Sequence, residues 1–147
     1  MYSYLLFIHI AASVTAIAAV ICYPIIMSSA RTVGQAKFAL GLLEKTAILP
    51  KIGGTLLLLS GLAIGFQETY LFRERWYVAS IVIFLVILVI FAGLLPAGIK
   101  QQLKLLQQTQ GDDLPEAYRH SRRRSAWLEG VANLAVFLSI VLMVFKP

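Results

Sequence analysis

Of the side chains able to do chemistry, one stands apart. His9 is the single imidazole in a run from Tyr4 to Met27, YLLFIHIAASVTAIAAVICYPIIM, that holds no Lys, Arg, Asp or Glu. A neutral imidazole is tolerable in apolar surroundings and is a good iron ligand. Ser13 follows one helical turn later on the same face, and then Ala16, Val20 and Tyr23, so the imidazole lies on a small, polar face suited to a bundle interior. If the run enters a membrane from outside, His9 lies about 8 Å below the surface by helical rise. Ala12 and Ala16 leave space beside it for a flat ring. The chemistry this setting suits is ligation of a haem or related tetrapyrrole by His9, with Ser13 or a backbone carbonyl orienting its other nitrogen. Met143, near the far end of the chain at a comparable depth, is the candidate second ligand, and five-coordinate ligation by His9 alone is the alternative. A histidine hydrogen-bonded for purely structural reasons is the plainer reading of the same residue.

A second constellation is ionisable. Lys51 and Glu129 each interrupt an otherwise uncharged run near the same boundary, and Asn133 lies one turn beyond Glu129 on its face. Charges inside a membrane are costly and are buried, paired or functional, so Lys51 and Glu129 are expected to pair, with Asn133 extending a polar layer. Pro24, Pro50 and Pro96 fall near that level on three runs, and each frees a carbonyl one turn earlier. No Ser/His/Asp set, phosphate loop or paired-carboxylate site is present, so no catalytic residues are assigned. Cys22, the one cysteine, excludes an internal disulfide and is read as a small filler.

The elements that must position these residues follow from hydropathy. The chain has 147 residues, 59% hydrophobic and 14% charged, and its charges cluster between four runs: Tyr4 to Met27, Ile48 to Phe66, Trp76 to Ile99 and Ala126 to Phe145. Each approaches or exceeds the ~20 residues that cross a hydrocarbon core. Backbone amides in lipid must bond within their own segment, and no dyad alternation suggests a barrel, so the runs are helices. MYSY lacks the basic residues of a signal peptide, and the first run is kept as a helix. Thr32 to Gln35 and Asp113 to Glu116 have capping-box spacing, while Ile99, Leu103 and Leu106 continue a helical stripe that Gly111 ends. The expected fold is all-α, a single integral membrane domain over 1–147: a four-helix up-down bundle with helices at about 4–27, 33–66, 76–108 and 114–145. Two helical hairpins extend beyond the membrane.

Charge placement orients it. Arg31, Lys37, Lys45 and Lys51 follow the first helix and Lys100, Lys104, Arg119, Arg122, Arg123 and Arg124 follow the third, ten in all, against Arg73, Arg75 and Lys146 at the other end. The positive-inside rule puts the two long connections in the cytoplasm and both termini outside. Tyr2, Tyr4, Tyr70, Trp76 and Tyr77 then form an outer aromatic belt, with Trp127 at the inner interface. The run SRRRS is read as a topology signal, and no nucleic-acid role is assigned. Gly54, Gly61 and Gly65 share one face of the second helix and mark a close helix contact, within the bundle or in a homo-oligomer.

Three stretches, YLLFIHIAASVTAIAAVICYPIIMSSAR, LPKIGGTLLLLSGLAIGF and LMVFKP, give a pattern that covers nearly the whole chain. It resembles the bacterial integral membrane proteins called domain of unknown function 2269, which implies the bacterial cytoplasmic membrane and no particular activity. The layout is also distantly similar to HemJ-type protoporphyrinogen oxidase and to the copper-resistance protein D membrane domain, in which a first helix bears an early histidine. Those resemblances imply a haem, porphyrin or metal role for His9. The expected function is a binding or accessory protein without catalysis of its own, for haem or another tetrapyrrole. The alternatives are a haem-dependent redox enzyme of protoporphyrinogen-oxidase type and an oligomeric proton-coupled transporter using Lys51, Glu129 and Asn133.

Overall fold

The computed structural model describes residues 2–147, and among these there is no strand. Helix α1 spans Tyr2–Ser28, α2 Val33–Thr46, α3 Ile48–Gln67, α4 Arg75–Val89, α5 Leu95–Gln107 and α6 Glu116–Phe145. Because α2 runs almost directly into α3, and α4 into α5 through a π-helical turn at Ile90–Leu94, the six helices make four rods. All four are long and apolar enough to cross a membrane. The second rod, Val33–Gln67, has 35 residues. At 1.5 Å per residue it is some ~50 Å long against a core of about 30 Å, so part of it must stand clear of the hydrocarbon.

Each proline explains a local departure from a straight rod. Pro50 has no N–H for the carbonyl of Thr46, and the helix is interrupted just there, at Ala47 between α2 and α3. Pro96 denies a partner to Ala92, and the π turn absorbs the mismatch by letting the Leu95 N–H bond the Ile90 carbonyl. Pro24 lies within α1 and frees the carbonyl of Val20, towards which Asn133 of α6 extends its amide nitrogen at 3.5 Å.

The caps are asymmetric. Thr32 caps α2 by accepting from the Gln35 N–H at 3.3 Å, and the Gln35 side chain reaches back to the Arg31 N–H at 2.9 Å. The second box does not form. Pro115 holds φ −65° and ψ 151°, an extended residue, so α6 begins at Glu116 with no side-chain cap. The two connections at this end are tied together, the Val33 N–H donating to the Asp112 carbonyl at 3.1 Å.

Packing divides the molecule into two halves. Away from the termini, Val20, Tyr23 and Met27 of α1 close on Ala36, Leu40 and Leu43 of α2, on Leu95, Ile99 and Leu106 of α5, and on Ala132 of α6. Tyr23 meets Phe91 edge-on with ring centres 5.6 Å apart. Most of the tightly packed core therefore lies where α2, α5 and the start of α6 extend the bundle. Nearer the termini the same four rods surround a cavity, and large apolar side chains such as Phe7, Val14, Phe66, Leu134 and Phe137 point outward. Apolar surface on that scale belongs against lipid.

Candidate ligand cavity and buried polar layer

At the end carrying the termini, α1, α3, α4 and α6 enclose a cavity of about 500 Å³. That is within the usual range for small-molecule sites. Its walls are mainly Leu, Ile, Val and Phe, and it brings His9, Ser13 and Met143 into one lining together with Ser80 and Ser139. The mouth includes Tyr2, Glu68, Tyr70, Trp76 and Lys146, with the Lys146 ammonium 5.4 Å from the centre of the Trp76 indole.

The geometry of His9 defines its protonation. Its Nδ1 lies 2.9 Å from the Oγ of Ser60 on α3. Ser60 Oγ is also 2.6 Å from the carbonyl oxygen of Leu56. A carbonyl cannot donate, so the single hydroxyl proton of Ser60 lies on that contact, and Nδ1–H must donate to Ser60. The ring also meets the Leu57 backbone carbonyl, another acceptor, and with its proton on Nδ1 the neutral imidazole keeps the lone pair on Nε2. Ser13 does not orient the ring as expected: its hydroxyl donates to the backbone carbonyl of His9 at 2.7 Å. The orienting groups are the Leu57 backbone carbonyl, the alternative expected beside Ser13, and Ser60, which the sequence signals only as a lone hydroxyl in LLLLSG beside Gly61.

The glycine face of α3 makes this approach possible. A Cβ on Gly61 would lie 3.2 Å from His9 Cε1, and one on Gly65 would collide with the Tyr77 hydroxyl. That hydroxyl donates instead to the Gly61 carbonyl at 2.9 Å. Gly54 faces Phe84 and Leu88 at ordinary contact distance. All three glycines thus meet side chains of this same chain.

Counted from the helix ends, His9, Ser60, Ser80 and Ser139 come one from each rod and lie at a similar depth, roughly 8–10 Å by helical rise. Ser60 and Ser80 spend their protons on their own helices, Ser80 on the Trp76 carbonyl at 2.7 Å. The Ser139 hydroxyl is buried and has no partner.

Deeper, a second polar group differs from expectation. Glu129 does not pair with Lys51, which is exposed on α3. It accepts both guanidinium nitrogens of Arg122, at 2.7 and 3.0 Å. Arg122 and Glu129 are two turns apart on one helix, within reach of an arginine stem, whereas Lys51 is on an outward register of α3. Asn133 donates to the Glu129 backbone carbonyl at 2.8 Å as well as facing Val20. Gln102 of α5 donates to Ser125 at 3.0 Å and to Ser121 at 3.4 Å. Between Tyr23, Gln102, Arg122 and Glu129 a void of about 10 Å³ remains, close to the size one water needs. One turn before Arg122, burial pushes the Tyr118 phenol above its ordinary pKa while the nearby guanidinium opposes the shift. It stays a neutral hydroxyl.

Among the described residues no three His, Cys, Asp or Glu side chains gather into a metal cage. The family described as predicted integral membrane protein (DUF2269) matches residues 3–147. No curated protein and no solved structure matches the chain.

Proposed function

From the premise that this chain belongs to the DUF2269 family of predicted integral membrane proteins, we propose that it is a non-catalytic binding or accessory protein of the bacterial cytoplasmic membrane. It holds a membrane-dissolved ligand in the cavity near its termini. One observation carries this reading: an accessible imidazole nitrogen with its lone pair free, set in an apolar cavity of about 500 Å³. Below the polar level the walls offer only hydrocarbon, which suits a ligand that partitions from lipid.

A lone pair at Nε2 takes a metal or a hydrogen-bond donor. The donor set fits a haem, the group that the distant resemblances imply: His9 Nε2 would hold the iron, Ser60 would keep Nδ1 turned away, and Met143 lies in the same lining. When bound, haem supplies an iron centre whose redox behaviour its axial ligands set. The test is the absorption spectrum of detergent-solubilised protein expressed with haem supply. A Soret band that vanishes in His9→Ala and shifts in Met143→Leu supports the haem assignment. No band in well-folded protein eliminates haem. The cavity itself is tested by native mass spectrometry of co-purified lipid, which should disappear in Val136→Trp, a substitution that fills the cavity wall.

A further inference from the structure

The Ser60–His9 arrangement bears on which ligand the cavity takes, granted the cavity reading above. Nε2 can accept but not donate, because the short Ser60 to Leu56 contact at 2.6 Å commits the serine proton and forces the imidazole proton onto Nδ1. Ser13 and Ser80, also in the lining, have given their protons to helix carbonyls. The Tyr77 hydroxyl donates to the Gly61 carbonyl, and the Ser139 hydroxyl is sealed between helices, so neither offers a proton to the lumen. His9 Nε2 is therefore the polar atom that a ligand meets at this depth, and it calls for a donor.

Charge is absent at this level. Glu68 and Lys146, one of each sign, lie at the mouth, and the Arg122–Glu129 pair is deeper and internally satisfied. A cationic head group at His9 would have no counter-ion and an anionic one would require an imidazolium in apolar surroundings, so a neutral polar group suits the site.

We propose that the cavity binds a lipid bearing a neutral hydroxyl, which donates to His9 Nε2, with its apolar body along the lower walls. Two membrane lipids carry this chemistry, a reduced quinol and an isoprenoid alcohol. The site would discriminate by donor: a quinol is accepted, and the oxidised quinone, whose oxygens only accept, leaves Nε2 unpaired. Ser60 is the positioning residue for this selectivity, acting through the tautomer of His9.

The experiment uses the full chain in lipid nanodiscs with four probes. These are a short-tailed benzoquinol kept reduced under anaerobic conditions, its oxidised quinone, farnesol, and farnesyl methyl ether. Binding is followed by Trp76 fluorescence and native mass spectrometry. At least one hydroxyl form should bind tenfold or more tightly than its non-donor counterpart, and whichever pair shows the larger ratio identifies the source. Ser60→Ala should shrink that ratio to about threefold or less, and nitrogen NMR of labelled histidine should show His9 protonated at Nδ1 in the parent and mixed in the variant.

Equal binding of donor and non-donor forms, abolished by Val136→Trp, overturns the hydroxyl assignment and leaves the cavity reading standing. Binding unaffected by Val136→Trp, or no binding of any probe to folded protein, overturns both. A His9-dependent Soret band displaces the hydroxyl lipid in favour of iron.

Discussion

Glu129 is 2% exposed, and its carboxylate is neutralised by Arg122 from the same helix. Removing one partner of a buried pair leaves the other charge uncompensated, at a cost of about 3–5 kcal/mol, whereas replacing both with apolar groups is often neutral or stabilising. Arg122→Met and Glu129→Leu should therefore each lower the melting temperature sharply, and the double variant should recover most of the loss. Lys51→Met, on an exposed register, should change stability by less than about 0.5 kcal/mol. Additive losses from Arg122→Met and Glu129→Leu would show the pair to be uncoupled. Both ionisable residues of the expected pair were visible in the sequence as interruptions of apolar runs. The partner was not. Arg122 sits in SRRRS, where three adjacent arginines read as one solvated run, and only the helix register turns the first of them inward while Arg123 and Arg124 stay exposed. His9 was legible as the anomalous side chain of its run, yet the identity of its hydrogen-bond partner depended on how α1 and α3 dock.

At the scale of elements, apolar run length was sufficient to place four rods, because in lipid the backbone has few other ways to satisfy itself. What happened at each proline was not readable. The same defect gives an interruption after Thr46, a π turn before Pro96 and an interhelical amide contact at Val20, according to which neighbour can reach the freed carbonyl. The glycines of α3 were readable as a close-contact face, but not which groups fill it. Gly65 is held against the Tyr77 ring and hydroxyl, so Gly65→Ala overpacks the α3–α4 contact, at a typical cost of about 1–3 kcal/mol. Tyr77→Phe alone loses the bond to the Gly61 carbonyl, worth about 1 kcal/mol. In the double variant the departing oxygen removes the worst clash, while the residue 77 ring carbon at 2.9 Å and Phe72 at 3.0 Å must still give way to the new methyl. Melting temperatures should show the two together costing less than the sum of their separate losses. Strict additivity would mean that the hydroxyl is not what excludes a side chain at residue 65.

For the whole molecule, the two halves of the bundle carry different burdens. The half with the basic connections is extended by α2, α5 and the start of α6 and holds most of the packed core, while the half with the termini is opened by the cavity. Which half faces the cytoplasm decides whether a ligand enters from outside, and ten basic residues against three favour the connected end as the inner one. The charges available to set orientation are largely free: Arg31, Lys37, Lys45, Lys100, Lys104, Arg119, Arg123 and Arg124 are exposed, and the guanidinium of Arg122 is the one withdrawn into a buried pair. Ser3 and Gln110 are both exposed and lie at opposite ends of the bundle. In a Cys22→Ala background, a membrane-impermeant maleimide should label Ser3→Cys in intact cells and should label Gln110→Cys only after lysis. The reverse pattern would put the cavity mouth in the cytoplasm. Ligand would then have to arrive from the inner leaflet, and Lys146 and Trp76 at the mouth would meet the inner headgroups in place of the outer ones.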